Sequence, residues 1–312
     1  MMTFPRQTSL IRRSYLIGLL LITSLTLLSG CGDPEILVTN DAYEPKIVVE
    51  GLLIAGQPVQ DIRITRNVRL EQNLSRTPLS LSDAVVAIID EGDGKRYVLR
   101  YHEGTLFTDQ YFEYTGKQLQ IQPGGTYTLQ VDATIDHAQL STTATTTVPD
   151  EGFEILDISP ERTTYRPKDA DGEPENVTIQ IERSPGTRFY LLTARPLTAS
   201  QTNFIYDNPF VDESQGGVDL DDFNYEWEWL QNTPAGTGQS EMNLFWWDLW
   251  FYSRYEIIIY AADTNYSSFL QTFDEVQEDD GNFHEPEFRL EGDGMGYFGS
   301  AIADTVALEV IR

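Results

Sequence analysis

The sequence predicts an all-β protein made of two β-sandwich domains. Short runs rich in β-branched and aromatic residues recur about every ten positions, and turn residues separate them, which is the spacing of sandwich strands. No segment between residues 44 and 149 has a convincing helical period. A Pro-Gly turn at Pro123-Gly124 runs directly into a strand led by Tyr127. These three observations favour strands throughout the first half.

The first thirty residues have the features of a secretory signal. Arg6, Arg12 and Arg13 precede an apolar run of about 14 residues, shorter than the ~20 that cross a bilayer as a helix. The run ends in Leu28-Ser29-Gly30-Cys31, which resembles the lipobox of bacterial lipoproteins. The resemblance implies cleavage before Cys31 and lipid attachment to its thiol, and several acyl chains hold a protein firmly at a membrane. The alternative is an uncleaved anchor helix with an incidental cysteine.

The charge of the chain excludes one class of partner. Residues 1–30 contain three basic and no acidic residues, so the net charge from Cys31 onward is −31. Such a field repels phosphate backbones, and we expect no nucleic-acid partner. Cys31 is the only cysteine, so no disulfide can form within the mature chain. Because 40% of the residues are hydrophobic and 12% are aromatic, the chain is predicted to fold.

The predicted N-terminal sandwich follows a polar tether at residues 31–43 and covers residues 44–149. Acidic residues and glycines at Asp90–Gly94 predict a tight hairpin, since glycine adopts the positive φ that such turns need. The same composition suggests calcium, but its ligand spacing does not match an EF-hand. Seven strands are predicted in this domain: Lys46–Leu53, Asp61–Arg69, Ala84–Asp90, Lys95–Tyr101, Gly104–Thr108, Thr126–Ala133 and Ser141–Val148.

The turn before Tyr127 carries a local resemblance. Tyr127, Leu129 and Val131 alternate onto one strand face. A Pro-Gly turn leading into such a strand resembles the corner of immunoglobulin and fibronectin type III domains, in which the tyrosine hydroxyl bonds back to the turn. The resemblance implies an immunoglobulin-like or fibronectin-III-like first sandwich.

The predicted C-terminal domain covers residues 150–312, after a Pro- and Gly-containing boundary. It is mainly β, with an irregular acidic insertion at Asn203–Asp222 and a short helix at Asn265–Phe273. Asn176–Glu182 and Arg188–Ala194 are predicted to pair with each other, because only a Ser-Pro-Gly linker separates them. The other strands are predicted at Phe153–Ile158, Phe223–Leu230, Glu241–Phe251, Arg254–Ala262 and Asp304–Ile311, and Pro160–Pro174 is a polar stretch.

Four segments in this order resemble a family of envelope lipoproteins from the Bacteroidetes, domain of unknown function family 4249. They are Tyr43–Gly51, Ala84–Ile88 with the following glycines, Pro123–Leu129, and Gly294–Gly299. The resemblance implies a lipid-anchored protein of the outer membrane, often found beside TonB-dependent transporters. It brings no catalytic residues. The Trp-rich stretch of this chain departs from the family pattern.

No motif in the sequence indicates an active site, a cofactor or a metal centre. Gly292–Gly296 lacks the lysine and helix of a phosphate loop and is interpreted as a turn. Loose calcium binding around Asp279, Asp280 and Glu285 is a hypothesis. No G-x-S-x-G motif occurs. The three histidines lack the spacing of a zinc site: His102, His137 and His284.

All five tryptophans lie between residues 227 and 250. In Phe245–Phe251 a strand would carry aromatic side chains on both faces, and a simple sandwich buries only one. Two interpretations stay open: the aromatics fill the core of the second sandwich, or they form an exposed platform. Trp246 and Trp250 are the candidates for the outward face.

The sequence therefore predicts a lipid-anchored, non-catalytic binding or accessory module of the cell envelope, facing either the periplasm or the cell exterior. Its expected partners are the membrane, through Cys31, and an outer-membrane transporter. The alternative is a carbohydrate-binding or carbohydrate-cleaving surface lipoprotein that uses the Trp-rich stretch 227–250 to contact a glycan.

Overall fold

The predicted all-β class is confirmed. A computed structural model describes residues 43–69, 79–104, 110–166, 172, 175–211, 227–232, 238–277 and 286–312. Within them, one helix, α1 (Thr264–Gln277), accompanies the strands, and no helix has both the length and the apolarity needed to cross a bilayer. The strands of the first half are β1 (Ile47–Ile54), β2 (Arg63–Arg66), β3 (Val85–Asp90), β4 (Lys95–Val98), β5 (Arg100–His102), β6 (Tyr111–Glu113), β7 (Thr126–Ile135) and β8 (Ala138–Thr147).

The second half contributes nine more strands. They are β9 (Glu154–Ser159), β10 (Arg162–Thr164), β11 (Val177–Glu182), β12 (Phe189–Pro196), β13 (Trp227–Asn232), β14 (Gln239–Leu244), β15 (Arg254–Ala262), β16 (Glu291–Gly292) and β17 (Gly294–Ile311). The largest sheet has the order β13-β12-β15-β17-β1-β2, with β10 on the end of β17. A five-stranded sheet has the order β16-β8-β7-β3-β4, and a three-stranded sheet has the order β14-β11-β9.

Two large hydrophobic cores lie against the largest sheet, and a small third cluster, which contains Leu191, Ala262 and Tyr266, packs α1 on the same sheet. The first joins residues of β1 and β2 to residues of β3 and β7, among them Ile47, Ile64, Ile88 and Leu129. The second joins β12 and β15 to the three-stranded sheet, through residues such as Leu192, Ile257, Ile179 and Met242. Residues 45–312 form one compact unit. The division into two separate domains at residues 149–150 stays a prediction.

The last strand connects the two cores. Phe298 near the start of β17 packs in the first core, and Leu308 and Val310 near its end pack in the second. The strand begins ten residues before the predicted Asp304. Since Gly292 lies in β16 and only Asp293 separates it from β17, the interpretation of Gly292–Gly296 as a turn is wrong. The reason is long-range: β17 pairs in parallel with β1, and Gly296 lies opposite Val49 with a φ of 101°.

Two local predictions of the first half are confirmed. Strands β3 and β4 form the hairpin at Asp90–Gly94, with Gly94 at a φ of 68° and its N–H donating to the Asp90 carbonyl. The Tyr127 hydroxyl accepts a hydrogen bond from the Gln122 amide (2.9 Å) and donates to the Gln120 carbonyl (3.1 Å). This is the back-bonded tyrosine corner that the Pro-Gly turn predicted.

The predicted short helix is also confirmed, and a buried carboxyl caps it. Asp263 directly precedes α1, and its carboxylate accepts hydrogen bonds from the Tyr266 amide (2.9 Å) and the Thr146 hydroxyl (2.6 Å). Ser300 on β17 also hydrogen-bonds Thr146. Burial raises the pKa of Asp263. The network therefore ties the helix start to β8 and β17.

The predicted pairing of Asn176–Glu182 with Arg188–Ala194 is wrong. The corresponding strand β11 pairs with β9 and β14, whereas β12 pairs with β13 and β15. Both strands bury alternate residues in the second core, so the chain crosses from one sheet to the facing sheet between them. A short Ser-Pro-Gly linker permits either route, and packing of the two apolar faces against each other selects the crossover.

Other segments differ in detail from the predictions. The predicted strand Lys95–Tyr101 is divided at Leu99, which is buried. Strand β10 occurs within the polar stretch Pro160–Pro174, and β6 was not predicted. Residues 105–108 of the predicted strand Gly104–Thr108 lie outside the described residues.

Candidate binding surface

Three loops meet at one end of the second core. Residues 203–205 run beside residues 250–252: the Ile205 amide donates to the Trp250 carbonyl (2.8 Å), and the Tyr252 amide donates to the Asn203 carbonyl (2.7 Å). Asn208 is 3% exposed, and its side-chain amide donates to the Trp247 carbonyl (2.7 Å). Backbone and side-chain hydrogen bonds therefore hold the loops together.

A second tyrosine corner fixes the loop that follows β14. The Tyr255 hydroxyl accepts hydrogen bonds from the amides of Trp250 (3.2 Å) and Phe251 (2.8 Å) and donates to the Phe251 carbonyl (3.0 Å). The hydroxyl stays neutral, because burial raises its pKa far above the ordinary value. Since these peptide groups are buried, the hydroxyl replaces the water that they would otherwise need.

The predicted strand Glu241–Phe251 ends at Leu244. A 3₁₀ turn follows at Trp246–Asp248, and it breaks the strict alternation on which the prediction of two aromatic faces depended. Trp250 is 6% exposed and packs in the second core, so its predicted outward orientation is wrong. Trp246 is half-buried at the end of the sandwich. Its role in binding stays a prediction.

Aromatic and arginine side chains cover this end of the molecule. Tyr165 makes edge contacts with Trp246 (ring centroids 5.5 Å apart) and Tyr252 (6.4 Å). The Arg166 guanidinium carbon lies 4.9 Å from the centroid of Trp246, and that of Arg312 lies 5.5 Å from Tyr252. We call this region the aromatic–arginine surface, which consists of Tyr165, Arg166, Tyr206, Phe210, Phe245, Trp246, Trp247, Tyr252 and Arg312.

Three rings of the aromatic–arginine surface are well exposed. Phe210 is 66% exposed, Tyr206 is 47% exposed, and Phe245 is 38% exposed. Phe245 stacks on Trp247 with ring centroids 4.7 Å apart and planes 4° from parallel. Large exposed apolar side chains grouped on ordered loops are typical of interaction sites rather than of ordinary protein surface.

The two arginines of the surface differ from the described arginines that form ion pairs. Arg63, Arg162 and Arg195 each form an ion pair with a glutamate on a neighbouring strand. Among the described residues, Arg166 and Arg312 instead stack on aromatic rings and donate to backbone carbonyls, those of Asp207 and Thr202. Arg166 also has a φ of 54°, a conformation that non-glycine residues rarely adopt and that occurs preferentially at functional sites.

Asp248 is a half-buried carboxyl in the same turn as Trp246. Burial raises the pKa of Asp248 to about 6, and a hydrogen bond with the Phe245 backbone opposes the shift. The pKa is higher in the folded chain than in the unfolded one, so the folded state holds the proton more tightly. Protonated Asp248 therefore contributes to the free energy of unfolding. This contribution is fully present below pH 3.8 and is lost as the pH rises through about 6.

Replacing Asp248 with Asn should therefore stabilise the protein at pH 7. The amide removes a buried charge but still accepts the backbone hydrogen bond, so we expect a gain of about 1–2 kcal/mol in the free energy of unfolding. Urea unfolding at pH 4, 5, 6 and 7 tests this. The gain should shrink toward pH 4, and Asp207→Asn, which removes an exposed carboxylate on the neighbouring loop, is the matched control. A gain independent of pH would contradict the assignment.

A cavity lies near Asp263, apart from the aromatic–arginine surface. Its volume is about 420 Å³, and residues 147–150, 185–189 and 262–264 line it. Asp150, Arg188 and Asp263 give it charges of both signs. The Asp263 carboxylate accepts hydrogen bonds from Thr146 and from the helix start, so this lining group has a structural role.

Several sequence-predicted residues lie outside the described residues. They are the lipid-attachment candidate Cys31 and the hypothetical calcium ligands Asp279, Asp280 and Glu285. Among the described residues, no group of three or more potential metal ligands comes together. Arg166 and Arg312 were missed, because they are far apart in the sequence and no local motif marks either of them.

Comparison with known proteins identifies a family and similar solved structures, among them that of a much larger protein. The sequence model of the family described as Domain of unknown function (DUF4249) matches residues 34–302. None of the curated proteins matches the chain. The solved native conformation of E. coli alpha-2-macroglobulin is 13% identical, with a TM-score of 0.23, over 86% of this chain and 14% of that one. The chain thus spans about a seventh of that protein, and this score supports no conclusion about fold or function.

Proposed function

This chain belongs to the DUF4249 family, and we propose that it is a lipid-anchored, non-catalytic binding module of the bacterial cell envelope. The sequence Leu28-Ser29-Gly30-Cys31 supports the anchor. The aromatic–arginine surface supports the binding role and is the observation that carries it. Tryptophan, tyrosine and arginine are the residue types that dominate the energy of protein interfaces.

The proposed partner is an outer-membrane transporter of the TonB-dependent type, which the family resemblance suggests. In this arrangement the anchored module would lie beside the transporter and help capture or deliver its ligand. A second candidate function is carbohydrate binding, favoured by the exposed rings of Phe210, Phe245 and Tyr206. Exposed aromatic faces offer apolar contact to sugar rings as well as to protein side chains.

The variant Cys31→Ser should abolish lipid attachment. Serine cannot form the thioether, so cells fed an alkyne-labelled fatty acid should label the natural chain and leave the variant unlabelled. The amino-terminal peptide of the natural protein should begin at residue 31 and carry the mass of the lipid. Because an uncleaved signal also holds a chain at the membrane, the label and the mass are the measurements, rather than the membrane fraction. Thr39→Ala is the matched control. Equal labelling of the Cys31→Ser variant would overturn the proposal.

A further inference from the structure

We propose that the aromatic–arginine surface binds an anionic polysaccharide, with Arg166 and Arg312 contacting its carboxylates and the exposed rings contacting its sugar faces. This inference rests on the proposed binding function and names the ligand class for the same surface. No sequence motif identified either arginine, and the description of the family names no ligand.

The charge distribution is the first argument. The chain has 49 acidic and 21 basic residues, so carboxylates are available for most cations. Arg162 and Arg195, which lie at the same end of the second core, form ion pairs with Glu309 and Glu256, respectively. In the described part of the chain no carboxylate pairs with Arg166 or Arg312. Within the part of the chain that the structure describes, these two exposed cations stack on rings instead of pairing with carboxylates, so they give this surface a local positive charge on a chain whose net charge repels anions at longer range.

The geometry of the guanidinium groups is the second argument. A guanidinium has five N–H donors in its plane, and stacking on a ring leaves the edges of that plane accessible. Arg166 donates a hydrogen bond to the Asp207 carbonyl, and Arg312 donates one to the Thr202 carbonyl. These bonds fix the two side chains and leave other N–H groups to donate to a carboxylate. Such a pair is frequently bidentate and stronger than a neutral hydrogen bond.

The spacing of the two arginines favours a polymer. Arg312, Tyr252, Tyr165 and Arg166 form a chain of contacts of 5.5, 6.4 and 5.4 Å, so the guanidinium carbons lie at most about 17 Å apart. A polymer of acidic sugars repeats its carboxylate along the chain and meets both cations from one segment. A protein partner would need two carboxylates placed individually. The exposed ring of Phe245 stacks on Trp247, which contacts Trp246 and so continues the array that Arg166 joins. This ring and that of Phe210 on the adjoining loop provide the apolar contact that sugar ring faces use.

A binding experiment with two polymers tests the proposal. The probes are polygalacturonate, which carries one carboxylate per sugar, and neutral dextran, and the lipidated full-length protein in detergent is titrated with each at low salt. The readout is tryptophan fluorescence, since Trp246 and Trp247 belong to the surface. Polygalacturonate should change the fluorescence and dextran should not. Added salt should weaken binding, as for other charge-dependent polymer contacts.

Matched variants assign the effect to the two arginines. The double variant R166Q/R312Q should lose affinity about tenfold or more, as expected from removal of two charge-assisted contacts. The double variant R162Q/R195Q has the same net charge and lies at the same end of the core, and it should bind like the natural protein. Phe210→Ser should also weaken binding, and it removes no charge. Thermal unfolding checks that each variant is folded.

Three results would overturn the proposal: no response to polygalacturonate, an equal response to dextran, or an equal loss in both double variants. The first result would leave a protein partner as the occupant of the surface. The anchoring function is judged separately by the label on Cys31. A labelled protein that binds neither polymer therefore refutes the polysaccharide and leaves the envelope module standing.

Discussion

Replacing Tyr255 with Phe should lower the free energy of unfolding by about 3 kcal/mol. The variant keeps the ring in its buried position and removes a hydroxyl that makes three hydrogen bonds to the backbone of Trp250 and Phe251. Each buried peptide group left without a partner costs about 1–3 kcal/mol, and water has no access to replace the lost oxygen. Urea unfolding at pH 7 measures the loss.

The other tyrosine corner provides a graded control. Tyr127→Phe removes one accepted and one donated hydrogen bond at a partly buried turn, so its cost should be smaller, about 1–2 kcal/mol. Tyr255→Phe should also weaken binding at the aromatic–arginine surface, because the loop it fixes carries Trp246 and Tyr252. Tyr127→Phe should leave that binding unchanged. Equal losses of stability in the two variants would contradict the role assigned to the Tyr255 hydroxyl.

The substitution Gly296→Ala should destabilise the protein by about 4 kcal/mol or prevent folding. An added Cβ would lie 2.1 Å from the carbonyl oxygen of Val49, on the neighbouring strand of the same sheet. Gly296 also has a φ of 101°, which side-chain-bearing residues rarely adopt. The clash is with backbone, so relief requires separation of β1 from β17, the pairing that joins the start of the fold to its last strand. Soluble yield and urea unfolding measure the effect.

Gly94→Ala separates conformational strain from the clash. Gly94 has a φ of 68°, but an added Cβ there has no atom within 4 Å. Its cost should be about 1 kcal/mol, the price of a left-handed conformation alone. If the two glycine variants lose similar stability, the contact with Val49 does not constrain the fold.

Some features of the fold were predictable because they depend on near neighbours. The Tyr127 corner and the Asp90–Gly94 hairpin each involve fewer than ten consecutive residues, and both are confirmed. The strand Arg254–Ala262, a continuous apolar run, and the short helix predicted at Asn265–Phe273 are also confirmed. In each case propensity and turn chemistry agree with the tertiary structure.

The candidate surface was only partly predictable. The clustering of tryptophans directed attention to Trp246, which lies in the surface. The same alternation placed Trp250 outside, but a 3₁₀ turn changes the direction of the chain, and Trp250 is buried. A period-two pattern predicts side-chain direction only while the backbone stays extended, and nothing between Phe245 and Phe251 signals the turn.

The sequence by itself determined the all-β class, most strands and the family, because hydrophobic periodicity and turn residues act over a few positions. Only the tertiary structure decided which strands are partners. The parallel pairing of β1 with β17 and the separation of β11 from β12 arise from packing of apolar faces that are distant in the chain. The same packing brings Arg166 and Arg312 onto one aromatic surface. The positions of these two arginines depend on how distant segments of the chain pack together, and no local pattern in a single sequence signals that packing.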